Sequence, residues 1–232
     1  MTFNNVHSWL TSVMRYPRGF YINGRTSSQP AQLLELYEFE ACPFCRKVRE
    51  VLSELDISYL NHPCARGSNQ RETVIARGGK ALFPYLVDPN TNTELYESED
   101  IIAYLHKTYG TGRTTLDSAL APINTATSAL ASAFRRRGLK TTPHASTRSQ
   151  PPQPLELYSF EISPYCRKAR EALAELNLTH IVHNVAKNST HRPELIARGG
   201  KMLVPYLIDP NTNTELYESN DIIAYLHKTY GS

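Results

Sequence analysis

Hydrophobic positions fall into short patches whose period changes along the chain, and the same succession of patches occurs twice. Leu34-Glu-Leu-Tyr-Glu-Phe alternates apolar with polar side chains, the period-two pattern of a half-buried strand. After Cys42-Pro-Phe-Cys the period lengthens, and Cys45, Val48, Leu52 and Leu55 form a helical stripe. Ile57 to Leu60 predicts a second strand, and Arg71 to Ala76 a short helix that Gly78-Gly79 ends. Leu82 to Val87 and Glu94 to Tyr96 flank Asp88-Pro-Asn-Thr-Asn, a turn-rich connection that predicts a hairpin. Ile101, Ile102 and Leu105 line the inner face of a closing helix. The order is βαβαββα, an α/β unit in which helices pack on a small mixed sheet.

Leu34 to Gly110 aligns without a gap to Leu155 to Gly231, and most aligned pairs are identical. Ala76-Arg-Gly-Gly-Lys returns as Ala197-Arg-Gly-Gly-Lys, and Pro84-Tyr-Leu-Val-Asp-Pro-Asn-Thr as Pro205-Tyr-Leu-Ile-Asp-Pro-Asn-Thr. The chain is a duplication, and the two units are expected to pack through related surfaces about a pseudo-two-fold axis. A weaker likeness extends upstream. Val6, Trp9, Leu10 and Val13 fall at helical spacing, and Ser8-Trp-Leu-Thr-Ser-Val-Met-Arg resembles Ser128-Ala-Leu-Ala-Ser-Ala-Phe-Arg. Each unit is therefore expected to carry a preceding short helix that packs on it. Four segments follow: residues 1–33, a helix and loop; 34–110, the first domain; 111–154, a helix and linker; and 155–232, the second domain. Thr141 to Pro154, rich in Thr, Ser and Pro, predicts an extended linker, and Arg135, Arg136 and Arg137 before it predict a solvated helix end.

Composition narrows the classes. The 232 residues are 41% hydrophobic and 20% charged, which excludes collagen-like, coiled-coil and wholly disordered chains. No apolar run reaches the roughly 18 to 20 residues of a membrane span, and a net charge of +3 is too mild to point to nucleic acid. Four cysteines are too few for a disulfide-stapled secreted scaffold, and the opening Met1-Thr-Phe-Asn-Asn lacks the basic and apolar regions of a secretory signal. A reducing, cytoplasmic setting is the expectation, with the cysteines serving chemistry rather than cross-linking.

Cys42-Pro43-Phe44-Cys45 stands at a strand-to-helix junction. A thiolate there faces unpaired amides and the positive end of the helix, which lowers its pKa, and Pro43 is tolerated in a turn that needs no amide donor. Arg46 and Lys47 are expected to add positive potential, and Cys42 to be partly exposed. Cys45 follows one turn on, spaced to close a disulfide. A zinc reading lacks a second ligand pair, so no metal is expected. The second unit changes the motif to Ser163-Pro164-Tyr165-Cys166. Ser163 cannot join a disulfide but can donate a hydrogen bond to a bound thiolate, and Cys166 is expected to be shielded and inert. Phe83-Pro84 and Val204-Pro205 open predicted strands, where a cis proline would offer backbone groups to an extended peptide. Glu97-Ser98 and Glu218-Ser219 open the last helices, with Ser98 as an N-cap and the helix end as a carboxylate site. Together these groups suit a short anionic peptide carrying a thiol, such as glutathione. Cys64, replaced by Val185 in the second unit, is read as a surface or resolving thiol, and His62 with its counterpart His183 as a satisfied strand-end histidine.

Each unit resembles the thioredoxin-like N-terminal domain of glutathione S-transferases, and the first also resembles dithiol glutaredoxins. The likeness rests on the cysteine turn, the proline before the hairpin and the Glu-Ser before the last helix. It implies two tandem thioredoxin-like domains in which Phe83 and Val204 pair with the cysteinyl part of glutathione. It also implies that Glu97, Ser98, Glu218 and Ser219 hold the γ-glutamyl end. In transferases of this kind an all-helical domain follows and builds the electrophile pocket; here a second thioredoxin-like unit follows. The function expected is therefore a glutathione-dependent thiol-disulfide oxidoreductase acting through Cys42 and Cys45 on thiol and disulfide substrates. The alternatives are a non-catalytic glutathione-binding or scaffold protein, and a transferase that uses Ser163.

Overall fold

The computed structural model describes residues 19–22, 26, 28–112 and 137–231. The two expected leading helices, around Val6–Val13 and Ser128–Arg135, lie outside these residues. The first unit contains β1 (Leu34–Glu38), α1 (Pro43–Glu54), β2 (Tyr59–Pro63), α2 (Gln70–Gly78), β3 (Tyr85–Asp88), β4 (Thr93–Leu95) and α3 (Ser98–Thr108). The second repeats the order with β5 (Leu155–Ser159), α4 (Pro164–Glu175), β6 (His180–Asn184), α5 (Arg192–Gly199), β7 (Tyr206–Asp209), β8 (Thr214–Tyr217) and α6 (Ser219–Tyr230). Both units thus have the βαβαββα order that the hydrophobic pattern predicts.

Within the first unit β1 runs parallel to β2 and antiparallel to β3, and β3 pairs with β4. One face of this sheet packs Leu34 and Leu36 against Val51 and Leu52 of α1, Leu55 at its C-cap, and Ile101 and Leu105 of α3, all buried. The other face packs Tyr37, Tyr85 and Val87 with Cys64 and with Val74 of α2. The second unit builds the matching pair of cores.

The units do more than pack through related surfaces: they share one sheet. Its order is β4-β3-β1-β2-β6-β5-β7-β8, joined at the centre by antiparallel β2 and β6. Leu60 stands opposite Ile181, its own counterpart in the repeat, and Tyr59↔Val182 and Asn61↔His180 flank that pair symmetrically. A pseudo-two-fold axis therefore passes between Leu60 and Ile181. The seam matters to stability, because an unpaired β2 or β6 would leave a row of backbone donors and acceptors at an edge.

The segments that precede each unit cross to the other one. Tyr21 bridges to Lys187, and Lys140 bridges to Arg66. Gly19 and Gly138 make these crossings with φ of +68° and +72°, and a Cβ on Gly138 would lie 2.9 Å from the Cβ of Glu40. The Thr141–Pro154 stretch corrects the extended-linker expectation. The Thr142 amide donates to the Glu175 carbonyl (2.8 Å), Arg148 Nη2 to the Leu176 carbonyl (2.6 Å) and Gln150 Nε2 to the Asn177 carbonyl (2.7 Å). The end of α4 leaves carbonyls without helical donors, and this polar strand of chain satisfies them. Its composition records hydrogen-bonding capacity rather than solvation.

Candidate functional site

β1 delivers the chain to the cysteine turn. Cys42 has extended backbone (φ −79°, ψ 122°) and is the N-cap of α1, with Pro43 in the first turn. Its Sγ accepts a hydrogen bond from the Cys45 amide at 3.3 Å. The Cys45 thiol donates to Cys42 and is the largest influence lowering the Cys42 pKa; the Cys45 and Phe44 amides add to it, against burial and the Glu38 carboxylate. Burial and the same hydrogen bond push Cys45 well up. Of the two sulfurs, Cys42 is therefore the one whose surroundings favour the thiolate and Cys45 the one whose surroundings favour the thiol.

Two expectations about this turn are corrected. Cys42 is only 3% exposed rather than partly open, whereas the adjoining Phe44 is 47% exposed. Nor do Arg46 and Lys47 supply its field: Arg46 is engaged with Glu50 and Glu161, and Lys47 with Glu99. A helix start presents side chains at the fourth and fifth positions sideways, toward neighbouring elements, while the amides point at the cap.

The second unit reproduces the geometry with oxygen in place of sulfur. Ser163 Oγ accepts from the Cys166 amide at 3.3 Å, and Cys166 is fully buried with its pKa raised by burial, as expected of an inert thiol. Tyr165 matches Phe44 in exposure.

In each unit the other predicted groups lie near the end of the first strand, where the cysteine or serine turn begins. Phe83-Pro84 and Val204-Pro205 are both cis. Tyr85 pairs with Tyr37, so Pro84 sits where β1 ends and the chain turns toward Cys42. The Phe39 and Phe83 rings meet edge to face at 6.2 Å across that gap. Lys47 on α1 pairs with Glu99 on α3, one residue beyond Ser98, which brings the starts of the two helices together. Lys168 Nζ and Asn220 Oδ1 make the matching contact at 2.7 Å. The Ser98 expectation shifts by one residue. Glu97 and Glu218 hold left-handed backbone (φ 62° and 65°), and their carbonyls accept the first helical bonds from Ile101 and Ile222. Each glutamate is therefore the cap, and Ser98 and Ser219 are the first helical residues, 5% and 4% exposed. A non-glycine residue in that conformation is strained and persists only where its surroundings hold it.

Cys64 and His62 do not join this cluster. Cys64 is fully buried with Val74 and Tyr85, its pKa raised chiefly by burial, so it fills the core as Val185 does in the other unit. It is not the surface thiol expected. His62 Nε2 contacts Glu35 at 3.1 Å and its ring stacks on Tyr37 at 4.3 Å; His183 repeats this with Glu156 and Tyr158. Two residues escaped the sequence reading. Arg71 places its guanidinium 4.8 Å from the Phe83 ring while its Nε donates to the Cys64 carbonyl at 2.9 Å. Glu38, 2% exposed at the end of β1, faces the thiols. The repeat carried a signal for the second of these, since Glu38 gives way to Ser159 where Cys42 gives way to Ser163.

Among the described residues no group of three or more His, Cys, Asp and Glu could hold a metal ion, and no helix is long and apolar enough to cross a membrane. In comparisons with known proteins, the chain is 33% identical over 78 residues to the glutathione S-transferase-like protein tpcF of Aspergillus fumigatus, covering 34% of each chain. It is 30% identical over 53 residues to glutaredoxin 3 of Escherichia coli, covering 23% of this chain and 64% of that one. The chain thus spans about a third of the first relative and under two thirds of the second. A solved trimeric glutathione transferase, Leishmania TDR1, aligns over 86% of this chain and 67% of its own at 16% identity, with a TM-score of 0.30. The family model for the glutathione S-transferase N-terminal domain matches residues 36–113 and again 157–232, so the chain belongs to that family and carries its domain twice.

Proposed function

We propose that the chain is a glutathione-binding thiol-disulfide oxidoreductase whose redox centre is Cys42 and Cys45. The observation that carries this reading is the placement of the dithiol at the start of α1, where Cys42 is the N-cap and its Sγ accepts the Cys45 amide at 3.3 Å, a setting that favours its thiolate. The Cys42 thiolate attacks the glutathionyl sulfur of a mixed disulfide, forming a Cys42–glutathione disulfide and releasing the substrate thiolate. A second glutathione thiolate then attacks that disulfide and leaves as oxidised glutathione, restoring Cys42. In the dithiol route Cys45 loses its proton and attacks Cys42 Sγ, releasing glutathione and leaving a Cys42–Cys45 disulfide. Phe83 and Val204 offer backbone beside the cis prolines to the cysteinyl part of the ligand. Glu97-Ser98 and Glu218-Ser219 receive its γ-glutamyl end. Names of relatives, a glutathione transferase-like protein and a glutaredoxin, point to the same ligand class.

In the second unit the favoured reading is binding without exchange, because Ser163 Oγ already accepts the Cys166 amide and no leading thiol is present. Calorimetric titration of the full chain with glutathione tests the ligand assignment. Binding should appear, and Ser98→Ala should weaken the first site roughly tenfold, the value of one hydrogen bond to a charged group. Absence of binding up to millimolar ligand would remove glutathione from the account.

A further inference from the structure

Beneath the cysteine turn lies a cluster of buried charges that joins the two units. Arg49 on α1 contacts Glu161 of the second unit through Nε (3.0 Å) and Nη2 (3.1 Å), and Glu40 at 3.2 Å. Its Nη1 contacts Glu38. Arg170 on α4 mirrors it, contacting Glu40 at 3.0 Å and Glu161 at 3.0 Å. Arg46 and Arg167 close the cluster, each 3.9 Å from the opposite unit's glutamate. Glu40 and Glu161 lie two residues before Cys42 and Ser163, so each turn is anchored from the other unit.

The charged members of the cluster are symmetric about the pseudo-two-fold axis except at one position. Arg46 matches Arg167, Arg49 matches Arg170 and Glu40 matches Glu161, but Glu38 matches Ser159. Ser159 is 1% exposed, and its hydroxyl has no hydrogen-bond partner among the described residues. The extra carboxylate therefore occurs only in the unit that carries the dithiol. Glu38 also accepts from Asn61 Nδ2 at 3.2 Å, and the groups facing it are Arg49, Glu40, Glu161, Asn61, Tyr59 and the three cysteines of its own unit. A buried ionic cluster is weak evidence for stability, because removing its charges from water offsets most of their attraction. Its asymmetry toward the thiols points to a role there.

We propose that the second unit acts as a positioning partner of the first unit's thiol site, through Glu161, which holds Arg49 against Glu38 beside the dithiol. This rests on the reading of Cys42 as the reactive thiol and extends it: the unit that lost its leading cysteine still sets the charge seen by the one that kept it. Glu161 and Arg49 touch no substrate. They act by fixing how much of the Glu38 charge faces Cys42.

The test is the pH dependence of iodoacetamide labelling at Cys42, located by mass spectrometry, in the folded full chain. Glu161→Gln removes a negative charge from the cluster while keeping side-chain shape. With Arg49 no longer held, more of the Glu38 charge should face Cys42, disfavour the thiolate and lower the labelling rate at neutral pH by about threefold or more, the scale of one charge acting through a protein interior. Glu38→Gln should act in the opposite direction, raising the rate, and adding Glu161→Gln to it should then change the rate little. A folded Glu161→Gln chain with an unmoved labelling profile would overturn the proposal, as would full additivity of the two substitutions. Should Glu161→Gln fail to fold, Glu38→Gln reads the link from the other end. Amide exchange in Phe160–Ser163 should change, and unchanged exchange there would overturn the proposal. Labelling reports ionisation rather than turnover, so a shifted profile in a chain without disulfide exchange would count against the oxidoreductase reading alone.

Discussion

Cys42 and Cys45 differ in what each hydrogen-bonds. The N-cap sulfur accepts from the Cys45 thiol and from helix amides, and the second sulfur, fully buried, donates to the first. Burial works against both thiolates, but only Cys42 has donors that outweigh it. Labelling with a small alkylating reagent should therefore modify Cys42 before Cys45, Cys64 and Cys166, with an apparent pKa below the free value of roughly 8.5. Faster labelling at Cys166 would reverse the assignment of the two units. The motif and its helix-start position were legible in the sequence, because Pro43 after Cys42 and a helical stripe after Cys45 have few other meanings. The burial of Cys42, 3% exposed, was not legible, since the motif fixes the position of the sulfur on the helix and not what packs over it. The engagement of Arg46 and Lys47 was not legible either, since their partners lie at Glu161 and Glu99.

At the scale of the element, the starts of α1 and α4 carry the same cap built from different atoms. Ser163 Oγ and Cys42 Sγ each accept one amide hydrogen bond at 3.3 Å. Ser163→Ala should cost about 1 kcal/mol in unfolding free energy, the usual value of a lost side-chain cap. It should leave disulfide exchange by the first unit nearly unchanged. Urea denaturation with the exchange rate measured alongside checks both parts, and a large loss of exchange would place Ser163 in the reaction. The order of elements and the two cis prolines followed from hydrophobic period and from proline at a strand start. The linker did not, because a run rich in Thr, Ser and Pro reads the same whether it meets water or the carbonyl ends of α4.

For the whole molecule the decisive feature is the shared sheet. Nothing in the repeat says that β2 and β6 will pair, because strands with one sequence pattern can serve as an edge or a centre equally well. Beside the axis His180 stands where the first unit has Tyr59, 1% exposed, with Nδ1 2.9 Å from the Leu178 carbonyl. Burial lowers its pKa to about 4, the Leu178 carbonyl opposing and Arg170 and His62 adding to the effect, with Glu40 raising it. The unfolded chain binds this proton more readily than the folded one. The stability it confers is therefore present above the unfolded pKa of about 6.5 and is lost as pH falls toward 4. Between about pH 7 and pH 5 the loss should be about 2 kcal/mol. His180→Leu should flatten the pH dependence of the denaturation midpoint in that range. An unchanged slope would mean that other groups set the acid limit.

The central claim is that one unit of a duplicated glutathione transferase-type domain performs thiol chemistry while the other supports it. Turnover of a small glutathione mixed disulfide by the full chain, with reduced glutathione as the electron donor, tests it most directly. The wild-type chain and Ser163→Ala should turn over alike, Cys45→Ser should retain the route through a single thiol, and Cys42→Ser should be inactive. Full activity in Cys42→Ser, or loss of activity in Ser163→Ala alone, would contradict the account.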